Sequence, residues 1–449
     1  MKKTISLMLV VVLCLSVFAA CGTSAAVPSA TAQASESAAP SETTEASESA
    51  TADVNAAELK TLTLFHHMGE EAKKSALQGV VDSFAANQAG LAIDAQFIDF
   101  GNYKNTLKVK IAAADVPDIM FGRVAQNSEM VSSGQIMDIT GQKFLENFNA
   151  GAVGASSLGG KVYGIPVDLM ATGVFYNKDV FEKAGVKVPT TATEFYTLCE
   201  TIQKAGIVPV SLGLKESWPV LMLYWCDLYG AMLNQYPDWR SEAMDRKITF
   251  AGTPEMKPAF EQIRKTYGFV NSDGWNVDYT KSLQAVATGE AAMAIYGSYC
   301  IPEIRKYSKD GNFGYFPLPT TDNAAGNVVS AGIDDGFMIL EESAQKESAL
   351  LFLDHMSKKE VAELWASTIQ TISAVKDVTF DNADPMLADA ISSINKGPIV
   401  LDGMTPMLAG EYDAEFTNTL IKFLLDPKIS VDQLLKDLDA TFDNIKAKS

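Results

Sequence analysis

Residues Thr61 to Phe65 alternate polar and apolar side chains, put Leu62 and Leu64 on one face, and read as a strand. From Ser75 to Ala89 the period changes, and Leu77, Val80, Val81 and Phe84 recur at helical spacing. Leu91–Ile98 reads as a second strand, Tyr103–Ala114 as a helix with Leu107, Ile111 and Ala114 in register, and Asp118–Phe121 as a third strand. Strands alternating with helices predict βαβ units and a parallel sheet. Farther along, Lys178–Ala184, Ala192–Ala205, Val220–Asn234, Pro254–Tyr267 and Ser282–Thr288 have helical patterns, and Gly173–Tyr176, Val208–Leu212 and Ala292–Tyr296 have strand patterns. The tail from Asp413 to Lys448 is helical with a break at Asp426-Pro427, and no internal repeat is evident.

The N-terminal pattern is of another kind. Lys2 and Lys3 precede a run without charge from Ile5 to Ala20, which predicts a secretory signal over residues 1–20. An apolar run of about sixteen residues is shorter than the roughly twenty that span a bilayer. Phe18-Ala19-Ala20-Cys21 resembles the lipobox of bacterial lipoproteins, whose cysteine is acylated; Phe18 departs from the Leu preferred there. Residues 21–58 are nearly all Ala, Ser, Thr, Glu and Pro, without an aromatic, and should be a disordered tether. Its expected reach is roughly 30–35 Å. Lipidated at Cys21, the chain would sit on the extracellular face of a bacterial cell membrane and touch it through the lipid alone.

The rest of the chain is long enough for two domains, and 47% hydrophobic residues supply their cores. A formal charge of −19, with no basic run, excludes nucleic acid and anionic lipid as ligands. Cys199, Cys226 and Cys300 lie in apolar sequence without metal-like spacing and read as core residues. Gly154–Lys161 superficially looks like a phosphate loop, but two glycines precede the lysine and Val162 occupies the Ser/Thr position. No Gly-x-Ser-x-Gly elbow occurs, and the histidines are His66, His67 and His355. Adjacent His66 and His67 point differently and make a poor metal pair. Neither metal nor cofactor is expected, and the chain does not read as an enzyme. The enzymatic alternative is a secreted glycosidase using two of Asp168, Glu216 and Asp335.

Two long motifs carry a family resemblance. Gly160-Lys161-Val162-Tyr163-Gly164-Ile165-Pro166-Val167 followed by Val174–Gly185 (VFYNKDVFEKAG), and Gly289–Tyr299 (GEAAMAIYGSY), resemble hallmarks of the carbohydrate-binding extracellular solute-binding proteins, the maltodextrin-binding-like components of ABC sugar importers. Val116–Phe121, Phe316–Pro319, Ala331–Phe337 and Ile429–Leu434 echo the family in the same order. The resemblance implies a two-lobed α/β periplasmic-binding-protein-like fold with an interlobe cleft. Its three hinge crossings are expected near Ile165–Asp168, Ser330–Gly332 and Thr371–Ala374, giving an N-lobe of residues 59–166 plus 332–373 and a C-lobe of 167–331 plus 374–449. It also implies a monomer that captures a small carbohydrate by lobe closure and delivers it to importer permease subunits. The same fold binding a non-sugar solute is the alternative.

Open α/β sheets bind ligands at the carboxyl ends of strands, which selects the candidate residues. His67 and Glu70 follow the first strand and offer a donor and an acceptor to hydroxyls, whereas His66 reads as structural. Arg123, Gln126 and Asn127 follow the third strand with planar polar groups suited to vicinal hydroxyls. Asp168 lies at the first crossing; Asp334 and Asp335 lie beside the second. By the resemblance, Glu216 and Trp218 fall where relatives place a carboxylate and an aromatic platform, although Trp218 also reads as a core residue heading a helix. Tyr299 falls where relatives often carry a stacking aromatic. Trp275, in a polar loop, reads as a cleft or rim aromatic, Trp225 as core, and Tyr412 and Asp413 as C-lobe candidates.

Overall fold

Strands form where the apolar residues alternate or run without interruption. The computed structural model describes residues 60–216, 218–228, 236, 239–396, 399–400 and 412–446. The expected signal, Cys21 and the tether lie outside them. In chain order the strands are β1 (Lys60–His66), β2 (Leu91–Phe97), β3 (Ile119–Gly122), a small hairpin of β4 (Ser157–Leu158) and β5 (Lys161–Val162), β6 (Ile165–Pro166) and β7 (Asp168–Asn177). There follow β8 (Val208–Ser211), β9 (Ala291–Gly297), β10 (Phe313–Phe316), β11 (Val329–Ile333), β12 (Gly336–Ile339), β13 (Ile372–Ser373) and β14 (Ile399–Val400).

Two main sheets result among the described residues. The N-lobe sheet has the order β2-β1-β3-β12-β6, and the C-lobe sheet the order β14-β11-β7-β9-β8 with β10 and β13 also on β7. β1 is parallel to β2 and β3, as the alternation of strand and helix predicts. β12 is antiparallel to both β3 and β6, and β7 is antiparallel to β9, β10, β11 and β13, so both sheets are mixed. β12 and β7, which enter a lobe from a crossing, run against the neighbours that the lobe builds itself, β3 and β9. β7 and β9 are central and almost wholly buried, which explains their continuous apolar runs.

Each lobe buries its own core. Leu62, Leu64, Val80, Phe84, Phe337, Phe352 and Trp365 pack in the N-lobe; Phe175, Val210, Leu223, Phe260, Ile295 and Leu420 pack in the C-lobe. Trp225 is buried with the latter set, as expected, and Cys199, Cys226 and Cys300 are buried and free of disulfides. Local signals place the helices: Asn177 caps Lys178–Ala184 by accepting from the Val180 amide, and Gly185 ends it at φ 68°. Asp278 likewise caps Tyr279–Thr288, three residues ahead of the expected start at Ser282.

The crossings are short. Only Val167 separates β6 in one sheet from β7 in the other, and only Asp334 and Asp335 separate β11 from β12. The expected second crossing at Ser330–Gly332 therefore falls too early, as does the 331/332 boundary, because β11 keeps pairing with β7 through Ile333 opposite Leu169. At the third, β13 pairs with β7 and the Ala374 amide then donates to the Val167 carbonyl. Gly336 is required here: a Cβ on it would lie 2.1 Å from the Ile165 carbonyl oxygen.

Candidate functional site

Strand register sets the site's floor. His66 pairs with Phe97 across β1 and β2, and Gly336 pairs with both Gly122 and Pro166. The residues just beyond this level, His67, Arg123, Asp335 and Val167, thus form a row across the strand ends in sheet order, β1, β3, β12, β6, and Asp168 follows at the start of β7. Asp334 lies beside the row, in the crossing.

Lys73 joins them from the helix Glu71–Asn87. This helix starts four residues before the position its apolar period indicates, since its first turn buries a lysine rather than a hydrophobe. The Lys73 ammonium lies 2.6 Å from Asp334 Oδ2 and 3.7 Å from a Glu70 carboxylate oxygen, and the residue is 7% exposed. Arg123 holds the other side of Asp334: its Nε donates to the Asp334 carbonyl, and its Nη2 lies 3.5 Å from Asp334 Oδ1. The same Nε is 3.5 Å from Asp335 Oδ1.

These groups titrate unequally. Burial opposes ionisation of Asp334, but Lys73 and Arg123 outweigh it and hold the carboxyl below its usual range. Burial and the Asp334 charge push Asp168 up to about 8. Burial likewise raises Asp335 to about 7, with Asp334 adding to it and Arg123 opposing it. His67 is lowered to about 4 by burial and by Lys73. Its Nε2, 3.9 Å from Asp335 Oδ2, therefore belongs to a neutral imidazole, and the contact is polar rather than an ion pair. Asp168 is 1% exposed; its Oδ2 accepts from the Trp365 indole at 3.1 Å, while its Oδ1 is buried without a partner. A buried carboxyl oxygen without a partner beside a cleft is positioned for a ligand hydroxyl.

The opposite wall, from the C-lobe, is aromatic. Trp218 lies with ring centroids 5.5 Å from Tyr279, 5.8 Å from Tyr296 and 6.1 Å from Tyr299. Two glycines make the room: a Cβ on Gly297 would lie 2.5 Å from the Tyr299 ring, and one on Gly213 would lie 2.3 Å from the Asp278 backbone. The close approach at Gly213 brings Tyr279 against the loop after β8. The Glu216 carboxylate fixes it there, accepting from the Tyr279 amide at 3.2 Å. The Tyr279 hydroxyl and Ser298 Oγ are buried without partners. The lobes meet where the Lys73 ammonium lies 5.4 Å from the Tyr299 ring centroid.

The structure thus brings together His67, Glu70, Arg123, Asp168, Trp218, Tyr299, Asp334 and Asp335. Glu216 is adjacent, engaged with a backbone amide. Asn127 is buried and donates to the Arg123 carbonyl, so it shapes the turn rather than facing the cleft. Trp275 is also placed elsewhere than expected: it packs on the C-lobe core and donates to the Tyr267 hydroxyl at 2.8 Å, away from the ring group. Its polar neighbours in sequence hide a core that comes from other elements. Asp413 lies in the helix Tyr412–Leu425, with its side chain outside the described residues. His66, buried, accepts from the Met68 amide and is structural, as expected. Sequence reasoning missed Lys73, Tyr279 and Trp365; the Glu70-to-Lys73 spacing of three was the available signal for the first.

The profile of the family described as "Bacterial extracellular solute-binding protein" matches residues 69–363. The chain is 24% identical over 291 residues to the multiple sugar-binding protein of Streptococcus mutans, covering 62% of this chain and 68% of that protein. It is 19% identical over 337 residues to the melibiose/raffinose/stachyose-binding protein MelE of Bacillus subtilis, covering 72% and 76%. Among solved structures, RafE in complex with raffinose aligns with a TM-score of 0.72 at 20% identity, covering 86% of this chain and 100% of that one. A chitin oligosaccharide binding protein aligns at 0.76 and 19% identity, covering 86% and 99%. These likenesses establish the two-lobed fold, and with the profile match across both lobes the chain belongs to the bacterial extracellular solute-binding protein family.

Proposed function

We propose that the protein binds an oligosaccharide in its interlobe cleft and delivers it to the permease subunits of an ABC importer. The observation that carries this reading is the pairing of an aromatic wall, Trp218, Tyr279 and Tyr299, with a polar floor whose Asp168 Oδ1 lacks a partner. Sugar rings present apolar C–H faces to aromatic rings and hydroxyl edges to planar acceptors. The sugars for which relatives are named support the same reading. Binding at the interface of two lobes joined by short crossings favours closure, with ligand stabilising the closed form.

The signal and the Cys21 lipobox support an outward-facing lipoprotein, held by its lipid and acting as a monomer. Changing Cys21 to Ser should release it from membranes with ligand affinity unchanged; retention after a high-salt wash would contradict lipidation. A thermal-shift screen over mono- and oligosaccharides tests the ligand class, since a ligand of the folded state raises Tm. Chromatography of the bound sugar after incubation tests the glycosidase alternative: intact sugar is expected, and turnover would overturn the reading.

A further inference from the structure

We propose that the binding row continues past His67 onto Phe100, which forms an outer subsite stacking a further ring of the bound oligosaccharide. The proposal rests on the carbohydrate reading above and adds a chain-length requirement to it.

Phe97 and Phe100 are 46% and 56% exposed, an unfavourable arrangement for two phenyl rings unless something covers them. Single exposed apolar residues are ordinary, and Val109 is one. What distinguishes this pair is its place. Phe97 ends β2, the edge strand next to β1, at the register level of His66. Phe100 opens the helix Phe100–Ala112 directly after β2. Phe97 shares the face of His66, under Lys74, so it is Phe100, against the His67 ring, that extends the row by one strand.

The connection is direct. The His67 ring meets Phe100 edge-on at 5.1 Å, and its Nε2 faces Asp335 at 3.9 Å, so one side chain touches both the outer ring and the cleft floor. Beside Phe100, the exposed Asn102 amide donates to both carboxylate oxygens of Asp99, at 3.1 and 2.9 Å, which places planar polar groups next to an open aromatic face. Lys74 covers one face of Phe97 at 5.3 Å and leaves Phe100 as the main platform. From β6 to β2 the row crosses four interstrand steps, roughly 19 Å at about 4.8 Å each. That length exceeds any single pyranose and suits a chain whose inner rings lie against Trp218 and Tyr299.

The test is calorimetric titration of the full chain and its variants with melibiose, raffinose and stachyose, and with chito-oligosaccharides of two to four units. Phe100→Ala should weaken the longest bound member of a series about tenfold and the shortest less than about twofold. Phe97→Ala, on the His66 face, should change every length less than about twofold, and Phe100→Trp should retain the length preference. Ligand-free Tm should be unchanged in Phe100→Ala, because the ring is exposed. Equal loss at every length, or none, would overturn the outer subsite while leaving the carbohydrate reading in place. If the unsubstituted protein bound no oligosaccharide, both would fall.

Discussion

Lys73 is a charged side chain in a position normally kept for a hydrophobe, and its partners make it tolerable. Replacing it with Met would keep much of its volume but leave Asp334 buried without its 2.6 Å partner. Breaking one side of a buried pair costs about 3–5 kcal/mol. Lys73→Met should therefore lower ligand-free Tm strongly, and Lys73→Met with Asp334→Asn should recover part of the loss in denaturant melts; simple additivity would mean the two groups are not coupled. Trp218 is an intermediate case. It is half-buried, packs on the C-lobe core and also meets Tyr279 and Tyr299, so the core reading of its sequence position applies in part and the platform reading is put to the test by substitution. Trp218→Ala should reduce oligosaccharide affinity about tenfold and cost about 2 kcal/mol of ligand-free stability, near half the value for a fully buried tryptophan. Unchanged affinity by calorimetry would remove it from the site. The residues that reasoning from sequence found share one property: they follow a strand or lie at a crossing. Lys73 and Tyr279 lie inside helices, where their faces are fixed by partners remote in sequence, and Trp365 reaches Asp168 across 197 positions.

At the scale of elements, the crossings concentrate titrating groups. The folded-state pKa values of His66 and His67 fall from 6.5 to about 4, so the folded chain holds fewer protons than the unfolded one in that window, and stability rises with pH there. Asp168 and Asp335 move the other way, from 3.8 to about 8 and about 7; the folded chain holds more protons, and stability falls as pH rises. The two effects oppose each other between about pH 4 and 6.5, and above that only the carboxyls titrate. Ligand-free Tm should therefore decline from about pH 6.5 to 8.5, and Asp168→Asn should flatten the decline in calorimetric scans. A Tm that rises over that window would contradict the excess negative charge at the crossings. Most strands and helices were legible from period alone, including Lys178–Ala184 with both ends. The mixed strand directions were not. Period reports which face of a strand is buried, whereas direction is set by where the chain enters a sheet, and β12 and β7 enter from the crossings.

For the folded body as a whole, the cleft works only if the lobes can part. In this structure the lobes are in contact through Lys73 and Tyr299, at 5.4 Å, and the partnerless Asp168 Oδ1 and Tyr279 hydroxyl are enclosed. A ligand must enter before that contact forms, so an open state has to be populated. The three crossings allow it, since one consists of Val167 alone and another of Asp334 and Asp335. Domain closure of this kind is a shift between existing populations, with its size limited by the ligand's preference for the closed form. Solution scattering of the Cys21→Ser protein should therefore show a smaller radius of gyration when a binding oligosaccharide is added, the tether being identical in both samples. Lys73→Ala removes the interlobe contact and, with it, the 2.6 Å partner of Asp334 in the second crossing. It should enlarge the ligand-free particle relative to the unsubstituted protein, while saturating sugar brings both to the same compact form. If neither ligand nor the substitution changes the scattering, the lobes do not move, and capture by closure is excluded.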